Sequence, residues 1–157
     1  MNIPQLATVD VNVPIAANGG ATHTSMTCQK ACIEMLLGIM RGRRLALDND
    51  GWIFREYLKY LDLSGQPGTG DAFIRWVHDH QWNPDKCVRV TITKLAEGGI
   101  AEFPADPALA NFDLADRKYA SVASVSGATV VNATDTDWRD FSAPFAANGI
   151  NVLNLCV

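Results

Sequence analysis

Residues Ala7–Val13 read ATVDVNV and carry Asp10 and Asn12 among apolar residues. An apolar run of this length, followed by Pro14 and then by Asn18-Gly19-Gly20, predicts a buried first strand and its end. Carboxylates normally lie on the protein surface. A carboxylate at the end of a buried strand therefore marks that end of the predicted sheet as a candidate site.

Further segments alternate between strand and helix patterns. The predicted strands are Arg44–Asp48, Ala128–Asn132 and Ile150–Cys156, and Cys87–Thr93 is predicted to be either a strand or an extended arm. The predicted helices run from Thr24 or Ser25 to about Met40, from an Asp50 cap to about Leu61, and over Asp71–His80, Leu114–Val125 and Asp137–Asn148. This alternation predicts a single α/β domain over 157 residues, a three-layer sandwich with a mainly parallel central sheet.

Four acidic points are spread along the chain, each beside an apolar segment. They are Asp10, Glu56, the pair Asp113/Asp116 and the pair Asp135/Asp137. In parallel sheets, ligands bind beyond the carboxyl ends of the strands, where Asp10 and Asp135 are predicted to lie. Clustered carboxylates repel one another unless a cation lies among them, and oxygen ligands favour Mg²⁺ or Mn²⁺. The pattern predicts a site for one or two ions and a phosphoryl-transfer enzyme.

Composition narrows the class of protein. The net charge of −4 argues against a strongly basic nucleic-acid-binding face, although bound cations would offset it. No Lys or Arg precedes Lys30 and no apolar run approaches about 18 residues, so we expect neither a signal peptide nor a membrane span. We expect a cytoplasmic protein whose four cysteines are buried, reduced thiols.

The chain resembles the PIN-domain metallonucleases at four places, listed here in order: Val9-Asp10-Val11-Asn12, Glu56-Tyr57, Asp116-Arg117-Lys118 and Asn132–Trp138. That family has a first strand ending in Asp-Thr-Asn, a helical Glu, an Asp opening a later helix, and an Asp in a Thr-Gly-Asp-like turn. Order and approximate spacing match over nearly the whole chain. The resemblance implies one PIN-like nuclease domain over residues 1–157 that acts on RNA.

The resemblance also implies residue roles. The metal ligands and catalytic residues would be Asp10, Glu56, Asp116 and Asp135, with Asp137 as a fifth ligand and Asn12 and Thr134 as polar supports. Val11 replaces the usual Thr, and Ala133-Thr134-Asp135 replaces the Thr-Gly-Asp turn. Which of Asp135 and Asp137 is the main ligand stays open.

Each of these residues also has a structural interpretation. Glu56 fits a surface ion pair with Lys59 equally well, and Asp113 is predicted to be a helix cap beside the ligand Asp116. Candidate phosphate contacts are Arg43, Arg44, Arg117 and Lys118, although the first two also suit a helix C-terminus. The tryptophans Trp52, Trp76, Trp82 and Trp138 serve either the core or base stacking.

The leading interpretation is a Mg²⁺- or Mn²⁺-dependent ribonuclease that uses metal-activated water and no protein nucleophile. Its expected partners are RNA and, if it is the toxin of a toxin–antitoxin pair, an antitoxin protein; a homodimer is left open, and no membrane partner is expected. One alternative is a catalytically inactive PIN-like module that binds RNA or protein. Another is a haloacid-dehalogenase-like phosphatase with Asp10 as nucleophile, although Asn12 stands where such enzymes usually carry an acid.

Overall fold

The computed structural model describes residues 1–20 and 24–156. Its strands are β1 Leu6–Val9, β2 Arg44–Asp48, β3 Cys87–Val90, β4 Thr129–Asn132 and β5 Val152–Asn154. They form one sheet in the order β3-β2-β1-β4-β5, and every pairing between neighbours is parallel. The predicted α/β fold with a parallel sheet is confirmed.

Helices cover the sheet in two layers. They are α1 Asn12–Ala17, α2 Met26–Gly42, α3 Trp52–Tyr60, α4 Thr69–His80, α5 Arg117–Ser126, α6 Thr136–Asp140 and α7 Ser142–Ala147. Short 3₁₀ helices span Pro107–Leu109 and Leu114–Asp116. Helices α1, α2 and α4 pack together, whereas α5 crosses β1, β2, β3 and β4 and contacts α3. The result is the predicted three-layer sandwich.

Helix α2 follows its sequence pattern closely. Ser25 caps it, its hydroxyl accepting a hydrogen bond from the Cys28 amide at 3.0 Å. The five residues predicted for its core face are all buried: Cys28, Cys32, Met35, Leu36 and Ile39. The predicted apolar face of this helix is therefore confirmed.

Helix α1 was not predicted, because Pro14 and the glycines after Asn18 indicated irregular structure. Pro14 is the third residue of α1, within the first turn, where a missing N–H costs no intrahelical hydrogen bond. Gly70 then lets α4 begin directly against this helix, since a Cβ there would lie 2.1 Å from the Pro14 carbonyl oxygen. The first strand is correspondingly shorter than predicted and ends at Val9.

Two other predictions at helix ends were wrong. Asp50 does not cap α3; the Asp48 carboxylate does so, accepting hydrogen bonds from the Trp52 and Ile53 amides at 2.9 and 3.0 Å. Asp48 ends β2 and is buried, so strand and helix are joined by one tight connection. The predicted helix Asp137–Asn148 is divided into α6 and α7 at Phe141.

The prediction of four reduced thiols was wrong for two of them. Cys28 of α2 and Cys156 form a disulfide, with their Cα atoms 5.2 Å apart. Cys32 and Cys87 are free and buried, as predicted, and burial raises the pKa of the Cys32 thiol to about 12. Disulfides persist mainly in oxidising compartments, so this one argues against the expected cytoplasmic location. That location stays a prediction. Among the described residues, no helix is both long and apolar enough to cross a membrane.

Candidate active site

The candidate site lies where the chain reverses its direction of travel across the sheet. Strands β1 and β4 are neighbours, but β1 leads on to β2 and β4 leads on to β5. Such a switch point opens a crevice at the carboxyl ends of the strands. Asp10 directly follows β1, and Asp135 lies three residues past the end of β4. Asp116 ends a 3₁₀ helix and directly precedes α5, the helix that crosses both strands.

The structure brings three of the predicted ligands together. One carboxylate oxygen each from Asp10, Asp116 and Asp135 lies within 4.8 Å of the other two. Asp10 is 3% exposed, and the other two are half-buried. Burial and the neighbouring charges shift the pKa values of two of these carboxylates. Burial, together with the charges of Glu56 and Asp135, raises the pKa of Asp10 to about 6. Burial and then the charges of Asp10, Asp113 and Asp135 raise the pKa of Asp116 to about 8.

Asp10 is fixed by two donors. Its Oδ1 accepts a hydrogen bond from the Asn12 amide at 2.9 Å, and its Oδ2 accepts one from Trp138 Nε1 at 2.8 Å. Trp138 is fully buried in the core, which excludes it from base stacking. An ionised carboxylate has about four acceptor positions, so both oxygens keep capacity for a further partner.

Two buried tyrosines hold the backbone on either side of Asp10. The Tyr57 hydroxyl donates to the Val9 carbonyl oxygen, and the Tyr119 hydroxyl accepts from the Val11 amide at 3.3 Å. Sequence reasoning assigned neither residue a role at the site. The available signal was that a buried tyrosine needs a hydrogen-bond partner for its hydroxyl.

Glu56 lies beside the carboxylate cluster and is held by other partners. Its Oε1 accepts a hydrogen bond from the Tyr119 hydroxyl, and its Oε2 is 3.2 Å from Lys118 Nζ. The Glu56 and Lys118 side chains are 20% and 12% exposed, so this ion pair is largely shielded. The partner expected for a surface ion pair was Lys59. Glu56 as a metal ligand stays a prediction, and the geometry makes it a neighbour that orders Tyr119.

An amide network supports the two strand ends. Asn12 Nδ2 donates to Asn132 Oδ1 at 2.8 Å, and Asn12 Oδ1 accepts from the Ala133 amide at 2.9 Å. Asn132 is fully buried, and its Nδ2 donates to the Asp135 carbonyl oxygen at 2.8 Å. Asn12 thus has the position expected of a polar support. Asn132 is a second polar support, which the sequence analysis did not name. Within residues 1–20 and 24–156, the Thr134 side chain forms no hydrogen bond.

The remaining acidic candidates lie outside this group of three carboxylates. Asp113 is exposed and accepts a hydrogen bond from the Ala115 amide at 3.1 Å, as expected of a cap. Asp137 is half-buried, and its pKa is raised by burial and by the charges of Asp135, Asp113 and Asp140. Asp135 also caps α6, its Oδ1 accepting from the Asp137 amide at 2.9 Å. Of the two candidates Asp135 and Asp137, the structure thus brings Asp135 to Asp10.

The candidate phosphate contacts are placed unequally. The Arg117 guanidinium donates to the Ala110 and Phe112 carbonyl oxygens and therefore serves a local structural role. Arg44 pairs in register with Leu6 at the start of β1. Arg44 and the adjacent Arg43 therefore lie at the amino-terminal ends of the strands, whereas Asp10 lies at the carboxyl ends. Of the four, Lys118 is the one whose charge acts on the cluster, where it lowers the pKa of Asp116 against the larger raising effects.

No family model, curated protein or solved structure matches this chain. Membership of the PIN-domain family therefore stays a prediction that rests on the four sequence segments.

The three carboxylates are suitable ligands for a small divalent cation. Mg²⁺ binds oxygen at about 2.1 Å, so ligands on opposite sides of one ion lie about 4.2 Å apart. The three carboxylates already approach this separation, with oxygens within 4.8 Å. Burial and mutual repulsion disfavour the ionised forms of these acids. A bound cation would offset that repulsion and stabilise the ionised carboxylates. Asp10, Asp116 and Asp135 are the residues that would hold it.

Proposed function

We propose that the protein is a Mg²⁺- or Mn²⁺-dependent ribonuclease whose site is formed by Asp10, Asp116 and Asp135. The observation that carries the proposal is the convergence of these carboxylates, from three distant parts of the chain, at the switch point of the sheet. When bound, the ion supplies positive charge that stabilises phosphate oxygens and activates water for attack on a phosphodiester. RNA as substrate rests on the resemblance to the PIN-domain nucleases.

The protein's own residues position this site. Trp138 and the Asn12 amide fix both oxygens of Asp10, while Tyr57 and Tyr119 hold the backbone before and after it. Such orientation by buried partners keeps ligands in place without an ordering cost when the ion binds. Lys118, held by Glu56 beside the cluster, adds positive charge near the place where a phosphate would enter.

The hydrogen bonds of the Asn12 side chain weaken the phosphatase alternative. An acid–base residue would be needed two positions after Asp10, where this chain carries an amide. Both ends of that amide are occupied, by Asn132 and by the Ala133 amide. The inactive binding module and the toxin role with its antitoxin partner stay predictions that functional assays have to address.

The test is cleavage of single-stranded RNA with Mn²⁺, with and without excess chelator. We expect cleavage that stops with chelator and falls by about 100-fold or more in Asp116→Asn, since loss of a metal ligand removes an interaction on which the reaction depends. Asp113→Asn is the matched control, because it removes a carboxylate three residues away and Asn preserves the cap. Equal loss in both variants, or cleavage that persists with chelator, would contradict the proposal.

A further inference from the structure

A groove lies beside the acidic cluster and carries the opposite charge. Its volume is about 440 Å³, and it is open to solvent. The charged and aromatic residues that line it are Trp52, Arg55, Glu56, Lys59, Lys94 and Lys118. Four cations and one carboxylate give this wall a net charge of about +3, in a chain whose net charge is −4. The groove is therefore a local exception to the acidic character of the protein.

One face of α3 forms much of the wall. Trp52, Arg55, Glu56 and Lys59 are spaced by three, four and seven residues from the first, which places them on one side of the helix. Arg55 and Lys59 are exposed, and Trp52 is half-buried. Lys94 approaches from the segment after β3, and its Nζ lies over the face of the Trp52 ring, 5.4 Å from the ring centre.

The groove leads to the carboxylate cluster. Glu56 belongs to its wall and is joined through Tyr119 to the Val11 amide, next to Asp10. Ala115 also lines the groove and directly precedes Asp116. Among the described residues, Lys59 and Lys94 form no ion pair with a carboxylate, so their charges are available to a ligand.

We propose that this groove binds a single strand of nucleic acid, with phosphates contacting Lys59 and Lys94 and a base stacking on Trp52 once the Lys94 ammonium has moved from the ring to a phosphate. The inference rests on the proposed function, because it makes the groove the path of the strand into the acidic cluster. A row of cations that tracks a phosphate backbone, with an aromatic ring for the bases, is the usual arrangement for single-strand binding. Lys118, neutralised in part by Glu56, marks the end nearest the cluster.

The test is the affinity of a fluorescent RNA of about 12 nucleotides, a length within single-strand site sizes, measured by anisotropy. The protein carries Asp116→Asn and the buffer contains chelator, so that cleavage does not interfere. Each lost phosphate contact lowers the slope of log affinity against log salt by about 0.7, or about fivefold in affinity at 0.1 M salt. We expect Lys59→Gln/Lys94→Gln to bind about 25-fold more weakly, with a slope smaller by about 1.4.

Matched variants separate the groove from general electrostatics. Lys30→Gln/Arg41→Gln removes two exposed cations of α2 that lie outside the groove, and it should bind like the parent. Lys59→Arg/Lys94→Arg keeps both charges and should retain affinity. Trp52→Leu should lose about fivefold or more in affinity with little change in salt slope, because stacking is not a charge effect.

Strand type is compared in the same assay. DNA of the same sequence should bind through the same groove, whereas duplex RNA should bind at least about tenfold more weakly, because its bases cannot stack on a side chain. Equal weakening in the groove and α2 double variants, or duplex binding as tight as single-strand binding, would overturn the proposal. Failure of the ribonuclease proposal looks different: the parent chain would bind RNA through the groove and leave it intact with Mn²⁺.

Discussion

Replacing Asp10 with Asn perturbs the site in two separable ways. It removes one negative charge from the cluster, and it replaces one acceptor oxygen with a donor NH₂ group. Asp10 accepts hydrogen bonds from both the Asn12 amide and Trp138 Nε1. One of those two donors would therefore face an NH₂ group, at a cost of about 1–3 kcal/mol that does not depend on pH.

The charge effect does depend on pH. The pKa of Asp10 is raised from 3.8 to about 6 in the folded protein. An acid with a raised pKa stabilises the fold when protonated, and this stability is lost as pH rises through the folded-state value. The ionisation of Asp10 thus lowers the free energy of unfolding by about 3 kcal/mol at pH 8 and by about half of that at pH 5. We expect the free energy of unfolding of Asp10→Asn, relative to the parent, to improve by about 1.5 kcal/mol between pH 5 and pH 8.

The assay is denaturant unfolding of both proteins at the two pH values, in chelator. Asp106→Asn is the control, because hydrogen bonds from the Ala108 amide and the Asn148 side chain lower the pKa of this half-buried acid. It should show no such gain. RNA cleavage and the Mn²⁺-induced rise in melting temperature should both be lost in Asp10→Asn. A stability difference that is independent of pH, with cleavage retained, would refute the assignment and leave Asp10 as a turn residue.

Three further predictions concern the metal site, the buried Tyr119 and the disulfide. The Mn²⁺-induced rise in melting temperature should be larger at pH 8 than at pH 6. The pKa values of Asp10 and Asp116 are raised to about 6 and about 8, so protons compete with the ion at the lower pH. An equal rise at both pH values would count against binding at these carboxylates. Tyr119→Phe leaves the Val11 amide and a Glu56 oxygen without their partner, so unfolding in denaturant should cost about 1–3 kcal/mol less; a change below about 0.5 kcal/mol would contradict this. Reducing the Cys28–Cys156 disulfide, which spans 128 residues, should lower stability by about 2–5 kcal/mol, and an unchanged denaturation midpoint with reductant would show that it does not constrain the chain.

Local sequence patterns predicted the sheet and its acidic edge well. Arg44–Asp48 is strand β2 as predicted, and the buried face of α2 matches its apolar spacing. Asp10 and Asp135 meet because parallel strands end at one edge, a consequence of fold class that a sequence can indicate. Asp116 reached the same point only because α5 crosses β1 and β4, a placement that no local pattern specifies.

The features that were missed depend on contacts between distant residues. The partner of Glu56 is Lys118, 62 residues away, and the near candidate Lys59 instead lines the groove. The disulfide joins cysteines 128 residues apart, a pairing that spacing alone does not determine. The basic groove was hidden by overall acidity, because net charge averages over a surface on which opposite charges are segregated.

The most direct test of the central claim is anomalous diffraction from a crystal of the protein grown with Mn²⁺. We expect a manganese peak among the carboxylates of Asp10, Asp116 and Asp135, at about 2.0–2.3 Å from one oxygen of each. Asp116→Asn crystals should show that peak weakened or lost. A crystal that binds manganese elsewhere and leaves these three carboxylates without a peak would contradict the proposed metal site.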